Sequence, residues 1–163
     1  MDTSVNDISS LSSNQAIDRP VEASPQQLQE SSPESLQIRI LLAEDNLVNQ
    51  KVALRVLKHL GYQADVVSNG LEVIQAIAEK TYDLILMDIQ MPDMDGLEAT
   101  EYIRKQEVEQ QSSPIAIVAI TANATHDDQY ICRRAGMNDY ISKPIQIDKL
   151  KDILQKYETL IIR

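Results

Sequence analysis

The sequence predicts an α/β fold built on a parallel five-stranded sheet, and three observations predict it. Five short apolar runs alternate with five stretches of helical period from residue 38 onward. One run, residues 115–120, is apolar throughout, as a central parallel strand covered on both faces requires. The runs are separated by segments long enough for the helical crossovers that parallel strands demand.

The elements follow in order. Residues 38–43 are apolar except for Arg39 and read as the first strand. Glu44, Asp45 and Asn46 then precede a helical pattern. In it Val48, Val52, Val56 and Leu60 recur every fourth residue, with Ala53 and Leu57 beside them and Gly61 as the stop. Residues 64–67 form a short second strand and 71–78 a second helix. Residues 84–87 are a buried third strand that ends on Asp88. After a loop through Met91 and Pro92, Asp95 and Glu98 have the spacing of a helix capping box. The apolar run at 115–120 is the fourth strand. Thr125 and Asp128 resemble a second capping pair, and Gly136 closes the helix they open. Residues 140–142 are the last strand. Leu150, Ile153, Leu154, Tyr157, Leu160 and Ile161 form one stripe of the final helix.

Residues 1–36 have a different texture. They are rich in Ser and Gln, contain Pro20, Pro25 and Pro33, and lack an apolar period. Such a segment cannot bury enough surface to offset its ordering entropy, so it reads as a disordered linker ahead of a domain at 37–163. It is either a tether to another domain or a dispensable extension. With no Trp and no Phe, the core must be chiefly aliphatic. The net charge of −10 excludes nucleic-acid binding through a basic surface. Asp2, Asp7, Asp18, Glu22, Glu30 and Glu34 face only Arg19 within 1–36, so half of that charge lies in the remainder. Cys132 is the single cysteine, which excludes an intrachain disulfide or a cysteine metal site and suits a reduced, cytoplasmic setting. The sequence has neither a signal peptide nor a membrane span, so no direct membrane contact is expected.

In parallel α/β sheets ligands sit beyond the carboxyl ends of the strands. Glu44 and Asp45 stand at the end of strand one, Asp88 at the end of strand three, Thr121 at the end of strand four, and Lys143 after strand five. Clustered carboxylates disfavour one another's ionisation, and a hard cation with oxygen ligands removes that cost. The cluster therefore reads as a Mg²⁺ site. A phosphoryl group entering it would meet a metal, an ammonium and a hydroxyl that stabilise charge on its oxygens. Asp88, held by a buried strand, is the best placed nucleophile. Asp93, Asp95 and Gly96 faintly suggest a calcium loop, but Met91 occupies what would be its first ligand position. His59 and His126 are expected to face solvent, and Cys132 to pack as a small apolar residue.

Four motifs carry a resemblance. Leu41-Leu42-Ala43-Glu44-Asp45-Asn46, Met87-Asp88-Ile89-Gln90-Met91-Pro92-Asp93-Met94-Asp95-Gly96, Ala119-Ile120-Thr121-Ala122 and Tyr140-Ile141-Ser142-Lys143-Pro144 resemble the receiver domains of two-component response regulators. Among these they look most like the receivers of hybrid histidine kinases. The resemblance covers about residues 38–160. It implies a flavodoxin-like (βα)5 three-layer sandwich with strand order 2-1-3-4-5. It implies phosphorylation of Asp88, with Mg²⁺ (or Mn²⁺) held by Asp45, by Glu44 partly through water, by Asp88 and by the backbone carbonyl of Gln90. Thr121 would bind the phosphoryl oxygen and Lys143 would pair with the phosphoryl group. Thr121 and Tyr140 would form the switch, and the Lys143–Pro144 peptide would be cis. The donor would be a histidine kinase or a histidine phosphotransfer protein, and the domain a monomer or weak dimer. It would catalyse its own phosphorylation and dephosphorylation, with no separate substrate turned over.

The linker-like start favours the C-terminal receiver of a hybrid sensor histidine kinase, the other expectation being a stand-alone response regulator. A receiver-like binding module that never accepts phosphate would be expected to lose the aspartate, the acidic pair or the lysine, and all are present. A flavodoxin would place anion-binding groups where Glu44 and Asp45 stand. A haloacid-type phosphatase would want an Asp where Gln90 is.

Overall fold

The structure, a computed structural model, describes residues 37–161. The linker expected over 1–36 lies outside the described residues. Strand β1 (Ile40–Ala43) is followed by α1 (Leu47–His59), β2 (Ala64–Val67), α2 (Gly70–Glu79), β3 (Leu84–Asp88), α3 (Gly96–Gln110), β4 (Ala116–Thr121), α4 (His126–Ala135), β5 (Asp139–Ser142) and α5 (Ile147–Ile161). All strand pairs are parallel, and the order is β2-β1-β3-β4-β5. This is the expected flavodoxin-like order.

Alternation of side chains divides the core into two layers. Ile40, Leu42, Leu84, Leu86, Val118, Ile120 and Ile141 point to one face, where Ala53 and Leu57 of α1 and Leu150, Leu154 and Tyr157 of α5 cover them. Leu41, Ala43, Ile85, Met87, Ile117 and Ala119 point to the other, against Val73 of α2, Ala99 and Ile103 of α3 and Cys132 of α4. Every residue of β1 and β3 is buried. Burying each such Leu or Ile side chain contributes about 1.5–3 kcal/mol, so the aliphatic core compensates for the missing large aromatics.

Helix starts are fixed locally. The Asn46 side chain accepts hydrogen bonds from the Val48 and Asn49 N–H groups at the start of α1, and the Asn69 side chain accepts from Glu72 N–H at the start of α2. Both expected capping boxes form: Asp95 with Glu98, and Thr125 with Asp128. Gly61 and Gly136 end α1 and α4 with φ of +89° and +108°, the left-handed region that glycine enters without penalty.

In two helices the apolar pattern and the buried face differ. The row Val48, Val52, Val56 and Leu60 is not the buried face of α1. Val48 and Val52 are 68% and 46% exposed, and Ala53 and Leu57 are the residues that reach the sheet. A four-residue step advances about 40° round a helix, so such a row winds off any one face. In α5 the buried stripe stops at Tyr157, and Leu160 and Ile161 are exposed. The helix is 15 residues long, about 22 Å, and outruns strands of four to six residues. His59 and His126 are exposed and Cys132 is buried, as expected.

Candidate functional site

The carboxyl ends of β1, β3, β4 and β5 surround a cleft of about 400 Å³. Glu44, Asp45, Asp88, Gln90, Thr121 and Lys143 all line it. The fold thus brings together every residue expected at the site except Tyr140 and Pro144. Tyr140 is half-buried beside the cluster that faces α3 and α4, in register with Ala119 of β4 and two residues below Thr121. Pro144 follows Lys143 through a cis peptide bond.

Lys143 is the hub. Its Nζ lies 2.9 Å from Glu44 Oε2 and 2.9 Å from Asp88 Oδ2. Both carboxylates are buried, at 2% and 4% exposure, while Asp45 is exposed. Carboxylate oxygens of Glu44, Asp45 and Asp88 lie within 4.8 Å of one another. One ammonium therefore pairs with two of the three acids. Burial pushes the Asp88 carboxyl above its usual range. Lys143 opposes that push, and the neighbouring Glu44 charge reinforces it. Burial acts on Glu44 in the same sense, but Lys143, the Asn46 N–H and the Asn49 amide outweigh it, so Glu44 stays below its usual range. Burial alone would lower Lys143, yet the two carboxylates hold it above the ordinary lysine value. Of the two buried acids, Glu44 is thus held below its usual range and Asp88 above it.

The remaining contacts aim these groups. Asp88 Oδ1 accepts from the Gln90 N–H at 3.2 Å, so both oxygens of Asp88 are held. Thr121 is buried, and its hydroxyl donates to the Asn123 carbonyl at 2.8 Å while accepting from the Asn123 N–H at 3.1 Å. The start of α3 presses on the carboxyl end of β3. Gly96 N–H donates to the Ile89 carbonyl at 2.9 Å. A Cβ on Gly96 would collide with the Asp88 carbonyl oxygen and lie 2.9 Å from Met87 Cγ. Gly96 is thus required by close approach, not by its backbone angles.

The donors fit a hard divalent cation. They are oxygens, they converge, and the cleft is open and polar on the Asp45 side. Asp45 accepts no side-chain hydrogen bond among the described residues, whereas both oxygens of Glu44 already have protein donors. Sequence reasoning passed over three residues here. Asn46, Asn49 and Gln50 all bond to Glu44, at 3.1, 3.3 and 2.6 Å.

Comparison with known proteins agrees with this geometry. The family model described as the response regulator receiver domain matches residues 40–155. The chain is 46% identical over 124 residues to hybrid signal transduction histidine kinase B of Dictyostelium discoideum, which covers 71% of this chain but 6% of that kinase. It likewise spans 16% of a histidine kinase of Oryza sativa subsp. indica to which it is 40% identical. The chain is thus a small part of the length of these curated relatives. Among solved structures, the receiver domain of a sensor histidine kinase from Pseudomonas aeruginosa PAO1 has magnesium coordinated in its active-site cleft. It is 42% identical, with a TM-score of 0.65 over 74% of this chain and 96% of that one. The receiver domain of a Saccharomyces cerevisiae response regulator was solved bound to a histidine phosphotransfer protein. That match is 30% identical, with a TM-score of 0.71 over 74% of this chain and 88% of that one.

Proposed function

The chain belongs to the response regulator receiver domain family, and from that premise we propose that Asp88 is the residue that accepts the phosphoryl group. The observation that carries the reading is Lys143 bridging Asp88 and Glu44 at 2.9 Å each, with Asp45 alongside, at the open end of the sheet. An Asp88 oxygen attacks the phosphorus of a phosphohistidine donor; the new P–O bond forms as the P–N bond breaks, and the imidazole leaves. Lys143 transfers its hydrogen bond from Asp88 to a phosphoryl oxygen. The Gln90 N–H steadies the other Asp88 oxygen before attack.

Asp45, Asp88 and the Gln90 carbonyl would hold Mg²⁺ directly. Glu44, whose oxygens already have donors, would act through water. Bound there, the cation would relieve repulsion among the carboxylates and offset charge on the phosphoryl oxygens. Mn²⁺ has the same preference for oxygen and would substitute.

Thr121 reports the event by exchanging partners. Its hydroxyl leaves the Asn123 carbonyl and donates to the phosphoryl oxygen, and Tyr140 on the neighbouring strand moves inward beneath it. The donor docks beside the cleft on α1, where Leu47, Val48 and Val52 are exposed. An apolar patch of this kind suits a protein partner such as a histidine phosphotransfer protein, the partner class seen with the yeast receiver. The parent protein would be a hybrid histidine kinase, the class of the Dictyostelium relative, and the single cysteine suits a cytoplasmic setting for this domain. Among the described residues no helix is long and apolar enough to cross a membrane.

The test is direct. Acetyl phosphate with magnesium should add one acid-stable, base-labile phosphoryl group that peptide mapping places on Asp88. Label on another residue of the wild type, or undiminished label in Asp88→Asn, would sink the assignment.

A further inference from the structure

The acid turn at Glu44–Asp45 carries more charge than Lys143 can balance. Left to repulsion, it would open outward and spread its carboxylates. Two amides from the first turns of α1 oppose that. Gln50 Nε2 donates to the Glu44 carbonyl at 2.6 Å, and that carbonyl belongs to the peptide linking Glu44 to Asp45. Fixing this oxygen fixes the plane of the peptide and with it the point from which Asp45 leaves the chain. Asn49 Nδ2 donates to Glu44 Oε1 at 3.3 Å, beside the Asn46 N–H at 3.1 Å, while Lys143 holds Oε2 at 2.9 Å. The Glu44 carboxylate is therefore tied at both oxygens, and only one tie comes from a charged group.

The helix itself is anchored to the same turn. Asn46 Oδ1 accepts from Val48 N–H and Asn49 N–H, at 2.9 and 3.0 Å, and the Asn46 carbonyl accepts from Gln50 N–H at 2.9 Å. Acid turn, cap and amides thus form one closed set of hydrogen bonds. Asn49 and Gln50 are half-buried, and neither bonds to Asp88.

We infer that Asn49 and Gln50 are positioning residues for the phosphoryl-transfer site, holding Glu44 by carboxylate and carbonyl so that the acid turn is shaped for a divalent cation before one binds. This rests on reading the cleft as a magnesium-dependent phosphoacceptor site. Groups that orient ligands without touching the metal commonly govern affinity, because they set ligand geometry in advance. The cost of disrupting them therefore falls on cation binding, and the chemistry of the loaded site is preserved.

Magnesium alone is titrated calorimetrically into wild type, Gln50→Met and Asn49→Ala, and acetyl phosphate labelling rates are then taken at saturating magnesium. Gln50→Met keeps the length of the stem and removes the donor. It should raise the magnesium Kd by about 10-fold, and Asn49→Ala by less. Saturating magnesium should return both labelling rates to near wild type, a split that simple loss of fold stability would not produce. If Gln50→Met does not fold, Asn49→Ala decides: a raised Kd supports the inference. A Kd unchanged from wild type overturns it, as does a labelling defect that magnesium does not rescue. If wild type itself binds no magnesium, the functional reading falls and this inference with it. Wild-type binding with unaltered variants overturns this inference alone.

Discussion

The two ends of the sheet handle charge in opposite ways. At the carboxyl end Glu44 and Asp88 share one lysine, and Asp45 stands beside them with no base of its own among the described residues. At the amino end Asp65, Asp83 and Glu107 each have a base of their own. Arg39 donates to Asp83 through Nε, Nη2 and its backbone N–H, at 3.0, 2.9 and 2.7 Å. Asp65 accepts from Lys80 at 2.6 Å and from the Tyr82 hydroxyl at 2.7 Å. Arg104 reaches both oxygens of Glu107, the Gly136 carbonyl and Asn138 Oδ1, all within 3.0 Å. Glu107 and Asn138 in turn accept the Ile115 and Ile117 N–H groups at 2.7 and 2.9 Å. One end is electrostatically incomplete and chemically competent; the other is satisfied and fixes α3 and the starts of β4 and β5. The difference teaches that stability and reactivity are assigned to separate ends of the same strands.

Variants at the two ends should therefore separate activity from stability. The largest effect is at the carboxyl end. Asp88→Asn should abolish acetyl phosphate labelling, yet leave metal-free urea stability equal to wild type or above it, because a buried carboxylate beside Glu44 is removed. A clear loss of stability would mean that the end is not strained as described. Gly96→Ala is next. Its Cβ would strike the Asp88 carbonyl oxygen, so the end of β3 must move. We expect a loss of about 3 kcal/mol, and about a 100-fold slower labelling from displacement of the nucleophile. Labelling at the wild-type rate would show that the strand end can yield without disturbing Asp88.

The sequence made the carboxyl end easier to read than the supports behind it. Asp88 was legible because a buried apolar run ends on it, and strand order converts the ends of runs into a site. Lys143 and Thr121 followed by the same rule. Asn49 and Gln50 were not legible, because an amide in a first helical turn has the same local pattern whether solvated or bonded to a loop. Gly96 was legible as part of a motif, but its reason, the approach of α3 to Asp88, is tertiary. Val48 and Val52 belong to the apolar row that marks the helix, yet they are exposed, for a geometric reason. The sheet meets α1 along Ala53 and Leu57, and a period of four alone does not say which row that is.

At the amino end, Glu107→Ala should reverse the pattern of Asp88→Asn. It leaves the Ile115 N–H without its acceptor and the half-buried Arg104 without its carboxylate. Such losses cost about 2 kcal/mol, read as a lower urea midpoint with unchanged slope. Labelling at saturating magnesium and at a temperature well below unfolding should remain near wild type. A labelling loss as large as that of Gly96→Ala would show that the two ends are coupled through α3.

The smallest effect is the sharpest discriminator, because it differs in sign between the ends. Arg39 hydrogen-bonds Asp83 and, against a smaller opposing effect of burial, holds its carboxyl below the usual range. A carboxyl with a lowered folded pKa binds fewer protons in the native than in the unfolded chain. Its stabilisation is fully present above the usual aspartate pKa and is lost as pH falls through the folded value. Asp88 is displaced the other way, by burial first. The native state binds its proton more tightly, so stability declines as pH rises from the usual aspartate range through the raised value. Urea unfolding in metal-free buffer, from about pH 3.5 to 7, would compare wild type with Asp83→Asn and with Asp88→Asn. The stability of wild type relative to Asp83→Asn should grow with pH, and relative to Asp88→Asn it should shrink. Added magnesium should counter the second trend, since it stabilises the ionised cluster, and leave the first in place. Two trends of the same sign would mean that Lys143 satisfies its carboxylates as fully as Arg39 satisfies Asp83, and that the carboxyl end carries no stored repulsion for a cation to relieve.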